Sequence, residues 1–255
     1  MKIKLISLLI ISLLKSEDFT AEQIVNKVTL SPKPITSVTE VKLEIIRYKR
    51  KKRKVKVREF TRFQKFYDKG KFKSKSIVRF YKPKIVKGAG LLSWVKNNGS
   101  TEQWIFLPKL KTAKQIKAKE RSKKFMGTDF RYEDLENREL GQDSLFLIGH
   151  EYLDGSQCKV IMAYPKDLSI YFSRKIWINT SNWQIVKIEF YKDEFQREKT
   201  LIFSNFIIKD KYITPGVLSM TLEDEKNKTV MTIKSFKPDL GLKDEIFSES
   251  FLIKL

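Results

Sequence analysis

The chain is poor in the residues that build most reactive centres. It has one cysteine, Cys158, and one histidine, His150. A lone cysteine excludes an intramolecular disulfide. A lone histidine excludes the HExxH zinc motif and any His-rich metal cage. A Ser-His-Asp triad would have to use His150, which stands in the strand-like run Leu145–His150, and no Gly-x-Ser-x-Gly elbow occurs. Gly88-Ala89-Gly90 lacks the third glycine of a dinucleotide fingerprint, because Ser93 stands in its place. No Gly-Lys-Ser/Thr phosphate loop exists either. Paired carboxylates for glycoside hydrolysis stay open, since such pairs can lie far apart in a chain, but nothing points to them. The expectation is a protein that is not an enzyme and uses no cofactor and no metal. Cys158 shares an alternating apolar face with Val160 and Met162, so it reads as a buried structural thiol.

Long apolar runs are also missing. A membrane-spanning helix needs about 20 apolar residues. The longest run, Leu5 to Leu14, falls well short. It follows Met1-Lys2-Ile3-Lys4 and precedes Lys15-Ser16-Glu17-Asp18, the order of the basic and apolar regions of a secretory signal. Residues 1–16 are therefore expected to be a signal peptide, with a buried N-terminal helix as the alternative, and residues 17–255 to form one periplasmic domain. No cysteine follows the run to carry a lipid anchor.

Charge is present in excess of one sign. Lys and Arg number 52 against 30 for Asp and Glu, a net +22. A charge of that size attracts polyanions such as nucleic acid or an anionic membrane surface, and it also serves simply to keep a protein soluble.

The dominant pattern has period two, the mark of half-buried strands. Val41, Leu43 and Ile45 alternate with polar residues, as do Val55 and Val57, then Ser76, Val78 and Phe80. Val186, Ile188 and Phe190 repeat the pattern, followed by Leu201 and Phe203, by Met220 and Leu222, and by Met231 and Ile233. About eleven strands are expected, separated by turns such as Asn98-Gly99 and Asp154-Gly155. One short helix precedes them. Thr20 and Gln23 form a capping box for a helix that ends near Ser31-Pro32. A basic middle segment, Lys109 to Lys124, leads into Phe125–Leu135, where Phe130, Asp134 and Leu135 are helix-spaced and Asp129 suits a cap. It reads as a helical insert over the sheet. The absence of helices alternating with strands excludes a βαβ fold.

Three segments carry a resemblance. They are Phe80-Tyr81-Lys82-Pro83-Lys84 with Lys87–Leu92, then Gln103-Trp104-Ile105-Phe106-Leu107-Pro108, then Phe125-Met126-Gly127-Thr128-Asp129-Phe130 through Leu135. In this order, and with Trp177-Ile178-Asn179 and Trp183 after them, they resemble the outer-membrane lipoprotein-sorting proteins of the LolA/LolB-like family, in particular its spirochaete-type branch. Two positions depart from that pattern: Lys114-Gln115-Ile116 where a basic pair is usual, and Thr128 where Ser is common. The resemblance implies an unclosed antiparallel β-barrel, mainly β, with a helical lid and an apolar cavity for acyl chains. It implies a lipid or lipoprotein carrier that moves cargo toward the outer membrane, receiving it from an inner-membrane lipid-exporting pump. Cavity candidates are Val41, Leu43, Ile45, Trp104, Val186, Ile188, Phe190, Met220 and Leu222. Arg50, Lys51, Lys52, Arg53 and Lys54 read as a hairpin tip, either simply solvated or docking on an anionic membrane surface. Export argues against a nucleic-acid partner. The competing class is a basic periplasmic adaptor that binds a protein partner through its surface, without cargo.

The export reading is tested by N-terminal sequencing of the periplasmic fraction. A chain beginning near Glu17 is expected, and an intact Met1 on a cytoplasmic protein would overturn it.

Overall fold

The structure is a computed structural model that describes residues 19–50, 52–136, 138–223 and 226–254. The signal segment assigned to residues 1–16 lies outside them. The chain enters through helix α1 (Ala21–Thr29). Its capping box is formed, with the Thr20 hydroxyl accepting from the Gln23 amide and the Gln23 side chain accepting from the Thr20 amide.

Strands β1 (Thr36–Lys49), β2 (Lys52–Phe66), β3 (Phe72–Lys82), β4 (Gly90–Lys96), β5 (Thr101–Phe106) and β6 (Ala113–Gln115) follow as one meander. The second half contributes β7 (Asp143–Leu153), β8 (Ser156–Pro165), β9 (Ser173–Asn179), β10 (Ile185–Tyr191) and β11 (Arg197–Ser204). Then come the small hairpin β12 (Ile207–Lys209) with β13 (Tyr212–Thr214), and finally β14 (Val217–Leu222), β15 (Lys228–Pro238) and helix α2 (Glu249–Ile253). Among the described residues there are fifteen strands where about eleven were expected. The extra ones include β6, β12 and β13, which at three residues each are too short to show an alternation.

Thirteen strands make one antiparallel sheet in the order β6-β5-β4-β3-β2-β1-β15-β14-β11-β10-β9-β8-β7. β1 and β15 pair at its centre, so the two ends of the strand region meet there and each half of the chain forms a wing. β6 and β7 end the wings without pairing with each other, so the barrel is unclosed. The segment between β6 and β7 crosses the inner face and is the lid. It is not one α-helix. It carries three-residue 3-10 turns at Ala118–Glu120, Phe125–Gly127 and Glu133–Leu135, with Met126 in a left-handed conformation at φ 48. Its backbone bonds in short turns and across the loop, as from the Phe125 amide to the Phe130 carbonyl, while the Asp129 and Asp134 carboxylates reach partners on the sheet.

Both faces of the sheet bury apolar residues. On the inner face, α1 places Ala21, Ile24 and Val25 against Ile161, Ala163, Ile176 and Ile178 of β8 and β9. The lid covers the centre. On the outer face, Phe247 and Leu252 at the C-terminal end pack on Ile77, Leu92, Trp104 and Phe106, and the Trp94 indole N–H donates to the Phe247 carbonyl at 2.9 Å. Cys158 is fully buried on the outer face with Val160 and Trp177, as its alternation implied.

Candidate functional site

A cavity of about 310 Å³ lies between the lid and the inner face. Cross-strand register builds its floor. Ile105, Leu91 and Val78 stand side by side on β5, β4 and β3. Ile188, Leu201 and Met220 do the same on β10, β11 and β14, and Phe203, Leu218 and Met231 on β11, β14 and β15. Phe125, Phe130 and Leu135 of the lid form the roof. An adjoining pocket of about 390 Å³ shares Arg62, Arg138, Leu140, Ile185 and Phe203 with the cavity and reaches out past the end of α1 and the β12–β13 hairpin. Volumes of this size are ordinary for a small-molecule site.

Polar contacts hold the lid down. Arg47 of β1 grips Asp129 through both guanidinium ends, at 2.8 Å and 2.9 Å, and donates to the Gly127 carbonyl at 3.1 Å. The Thr229 hydroxyl of β15 donates to the Asp129 carboxylate at 2.8 Å and accepts from the Asp129 amide at 3.0 Å. Arg58 of β2 donates to the Met126 carbonyl at 2.6 Å. Lys199 of β11, wholly buried, pairs with Asp134, whose other oxygen accepts from the Tyr171 hydroxyl at 2.7 Å. Burial pushes the Lys199 ammonium below its usual value, and the Asp134 charge and hydrogen bond oppose that shift. Burial, together with Asp134, drives the Tyr171 phenol upward. Arg121 also bonds Glu136 at 2.7 Å, and Arg174 bonds Glu133 at 3.0 Å.

The motif singled out in sequence, Phe125 through Leu135, is thus the clamped roof. Asp129 spends its carboxylate on Arg47 and Thr229 rather than on capping a helix.

The candidate residues separate into groups. Ile188 and Phe190 line the cavity. Val41, Leu43, Ile45 and Met220 are on the same inner face but are packed into the floor beneath it. Leu222 is half-buried at the end of β14, opposite Lys199 and outside that cluster. Two residues face the other way. A bulge between Ile185 and Lys187 turns Val186 to the outer face, where it packs near Cys158 and Trp177, and Ile185 takes the inner place. Trp104 is on the outer face under the C-terminal end, because β5 is buried on both sides and its neighbour Ile105 is the inward one. In the basic tip, Arg50 is in the turn at φ 48, and Lys52, Arg53 and Lys54 are exposed at the start of β2. Lys51 lies outside the described residues. Reading by residue missed Val78, Phe203 and Leu218 as lining, although each belongs to an alternating run, and it missed Leu91, which stands beside Leu92 in a run buried on both faces. It missed Arg62 altogether.

A family model described as "Uncharacterized protein" matches residues 72–254. No curated protein sequence matches the chain. Among solved structures, an outer membrane lipoprotein-sorting protein domain from Vibrio parahaemolyticus superposes with a TM-score of 0.84 at 24% identity, covering 92% of this chain and 98% of that one. A DUF1329 family protein from Desulfovibrio piger gives 0.83 at 24% identity, over 90% and 96% of the two chains. A LolA superfamily protein from Nitrosomonas europaea gives 0.69 at 20%, over 91% and 99%. These establish a shared fold.

The Lys199–Asp134 clamp makes a testable demand. Removing one member of a buried ion pair costs about 3–5 kcal/mol, because the other charge is left without a partner. Asp134→Asn should lose about that much in urea denaturation. The triple variant Asp134→Leu, Lys199→Met, Tyr171→Phe, which also removes the hydroxyl that Asp134 accepts from, should recover part of it. Equal losses in the single and triple variants would show that the pair is not what the lid depends on.

Proposed function

The chain belongs to the family matched over residues 72–254 and has the fold of the lipoprotein-sorting proteins, and on that premise we propose that it is a carrier of acyl chains. The chains are those of a lipid or a lipoprotein, held beneath the lid and moved across the periplasm toward the outer membrane. The observation that carries this reading is the cavity itself, roofed by Phe125, Phe130 and Leu135 and floored by apolar side chains of both wings. An acyl tail in water costs about 0.8 kcal/mol per exposed methylene, so a carrier needs a dry apolar space, not a catalytic constellation. An unclosed sheet supplies one that can be entered from the side, beneath a lid held by a few polar contacts. An inner-membrane lipid-exporting pump is the donor this reading favours.

The basic hairpin gives the carrier a place to meet a membrane. Pairing with β3 begins only at Glu59, and pairing with β15 ends at Ile46, so the tip of β1–β2 extends beyond both neighbours. It bears Lys49, Arg50, Lys52, Arg53, Lys54 and Lys56, with Tyr48 and Val57 exposed among them. Each cation close to an anionic surface contributes about 1 kcal/mol. Replacing Lys52, Arg53 and Lys54 with Gln should weaken binding to phosphatidylglycerol vesicles at low salt and leave the melting temperature unchanged. Unaltered vesicle binding would return the tip to a merely solvated role.

The cavity is tested by filling it. Leu218 lines it, and Leu218→Trp should abolish uptake of a fluorescent fatty acid with little loss of thermal stability. In a tightly packed core the same enlargement costs about 1–3 kcal/mol. If the unaltered protein takes up no apolar probe, the carrier reading is wrong, and a surface adaptor without cargo replaces it.

A further inference from the structure

Arg62 stands in a row where apolar side chains are the rule. On the inner face its cross-strand neighbour is Val78, followed by Leu91 and Ile105. It lines both the cavity and the pocket that leads outward. Among the described residues it has no ion-pair partner. The carboxylates of the cavity wall are already committed: Glu133 to Arg121 and Arg174, Asp134 to Lys199, Asp143 to Arg138 and Arg174. Burial alone pushes the Arg62 guanidinium down to about 10, which still leaves it charged at neutral pH. Arg62 is half-buried in that wall, so its charge is partly withdrawn from water and no ion pair compensates it. An ordinary core would place a leucine there. Beside Arg62, in the next cross-strand row, Ser76 and Ser93 line the same wall. The space is therefore apolar beneath the lid, and where it joins the outer pocket it is cationic and hydroxylated.

We infer that Arg62 is a headgroup site, and that the cargo is an acidic amphiphile whose carboxylate or phosphate seats on the guanidinium while its tail lies under Phe125 and Phe130. This deepens the carrier reading and rests on it. A guanidinium fork matches either oxyanion with paired hydrogen bonds. An uncharged acyl group would fill the apolar end and leave Arg62 unpaired.

The test compares a fluorescent fatty acid, cis-parinaric acid, with its methyl ester. For the wild type, the acid should bind more tightly than the ester. Arg62→Met should weaken the acid about 10- to 100-fold, the loss expected of a charge-assisted hydrogen bond, and leave the ester unchanged. Its melting temperature should hold or rise, because an unpaired charge has been removed. Arg62→Lys, which keeps the charge but not the fork, should fall between. Dioleoyl phosphatidic acid should displace the bound fatty acid, whereas excess inorganic phosphate should not. An acid-to-ester ratio unchanged in both variants overturns the inference, with the carrier reading still standing. Displacement by inorganic phosphate also overturns it, by making the site one for free anions. If the wild type binds neither acid nor ester, the carrier reading itself fails.

Discussion

Two buried carboxylates on one loop, Asp129 and Asp134, hold the lid over the sheet, and the cavity exists because they do. Their partners, Arg47, Thr229 and Lys199, come from β1, β15 and β11, the strands at the middle of the sheet. Phe125 and Phe130 give the lid apolar contact, and the ionic contacts give it one position.

The second constraint is the breadth of the sheet. A curved sheet of thirteen strands encloses more space than the side chains of its inner face fill. The molecule covers that face with three different pieces: α1 over β8 and β9, the lid over the centre, and the β12–β13 hairpin near the mouth. Where the pieces fail to meet, the cavity and its outer pocket remain. The outer face is handled differently. The C-terminal turn and α2 seal it over β3 to β5 with Phe247 and Leu252.

Much of the architecture was legible in the sequence. Period-two runs locate the long strands, and Thr20 with Gln23 locates α1. The errors have physical causes. Alternation tells which residues share a face but not which face is inward, and on a strand buried on both sides, such as β5, it cannot place Trp104. A single extra residue at a bulge reverses every side chain beyond it, and so Val186 separates from Ile188 and Phe190. The lid looked helical because its apolar spacing is helical, but Asp129 and Asp134 find partners in distant strands that no local pattern reveals. Arg62 was invisible for a plainer reason. In a chain with 52 Lys and Arg residues, one more arginine carries no signal until its surroundings are known.

The central claim is that the space beneath the lid carries an acyl cargo. The direct measurement is to purify the protein from its own cells without detergent, denature it, extract it and identify what is released by lipid mass spectrometry. An acyl-chain compound with an acidic headgroup should be released, near one per protein, and should be lost from Leu218→Trp purified in the same way. Wild-type protein that releases no lipid above the level of an unrelated periplasmic control would contradict the claim.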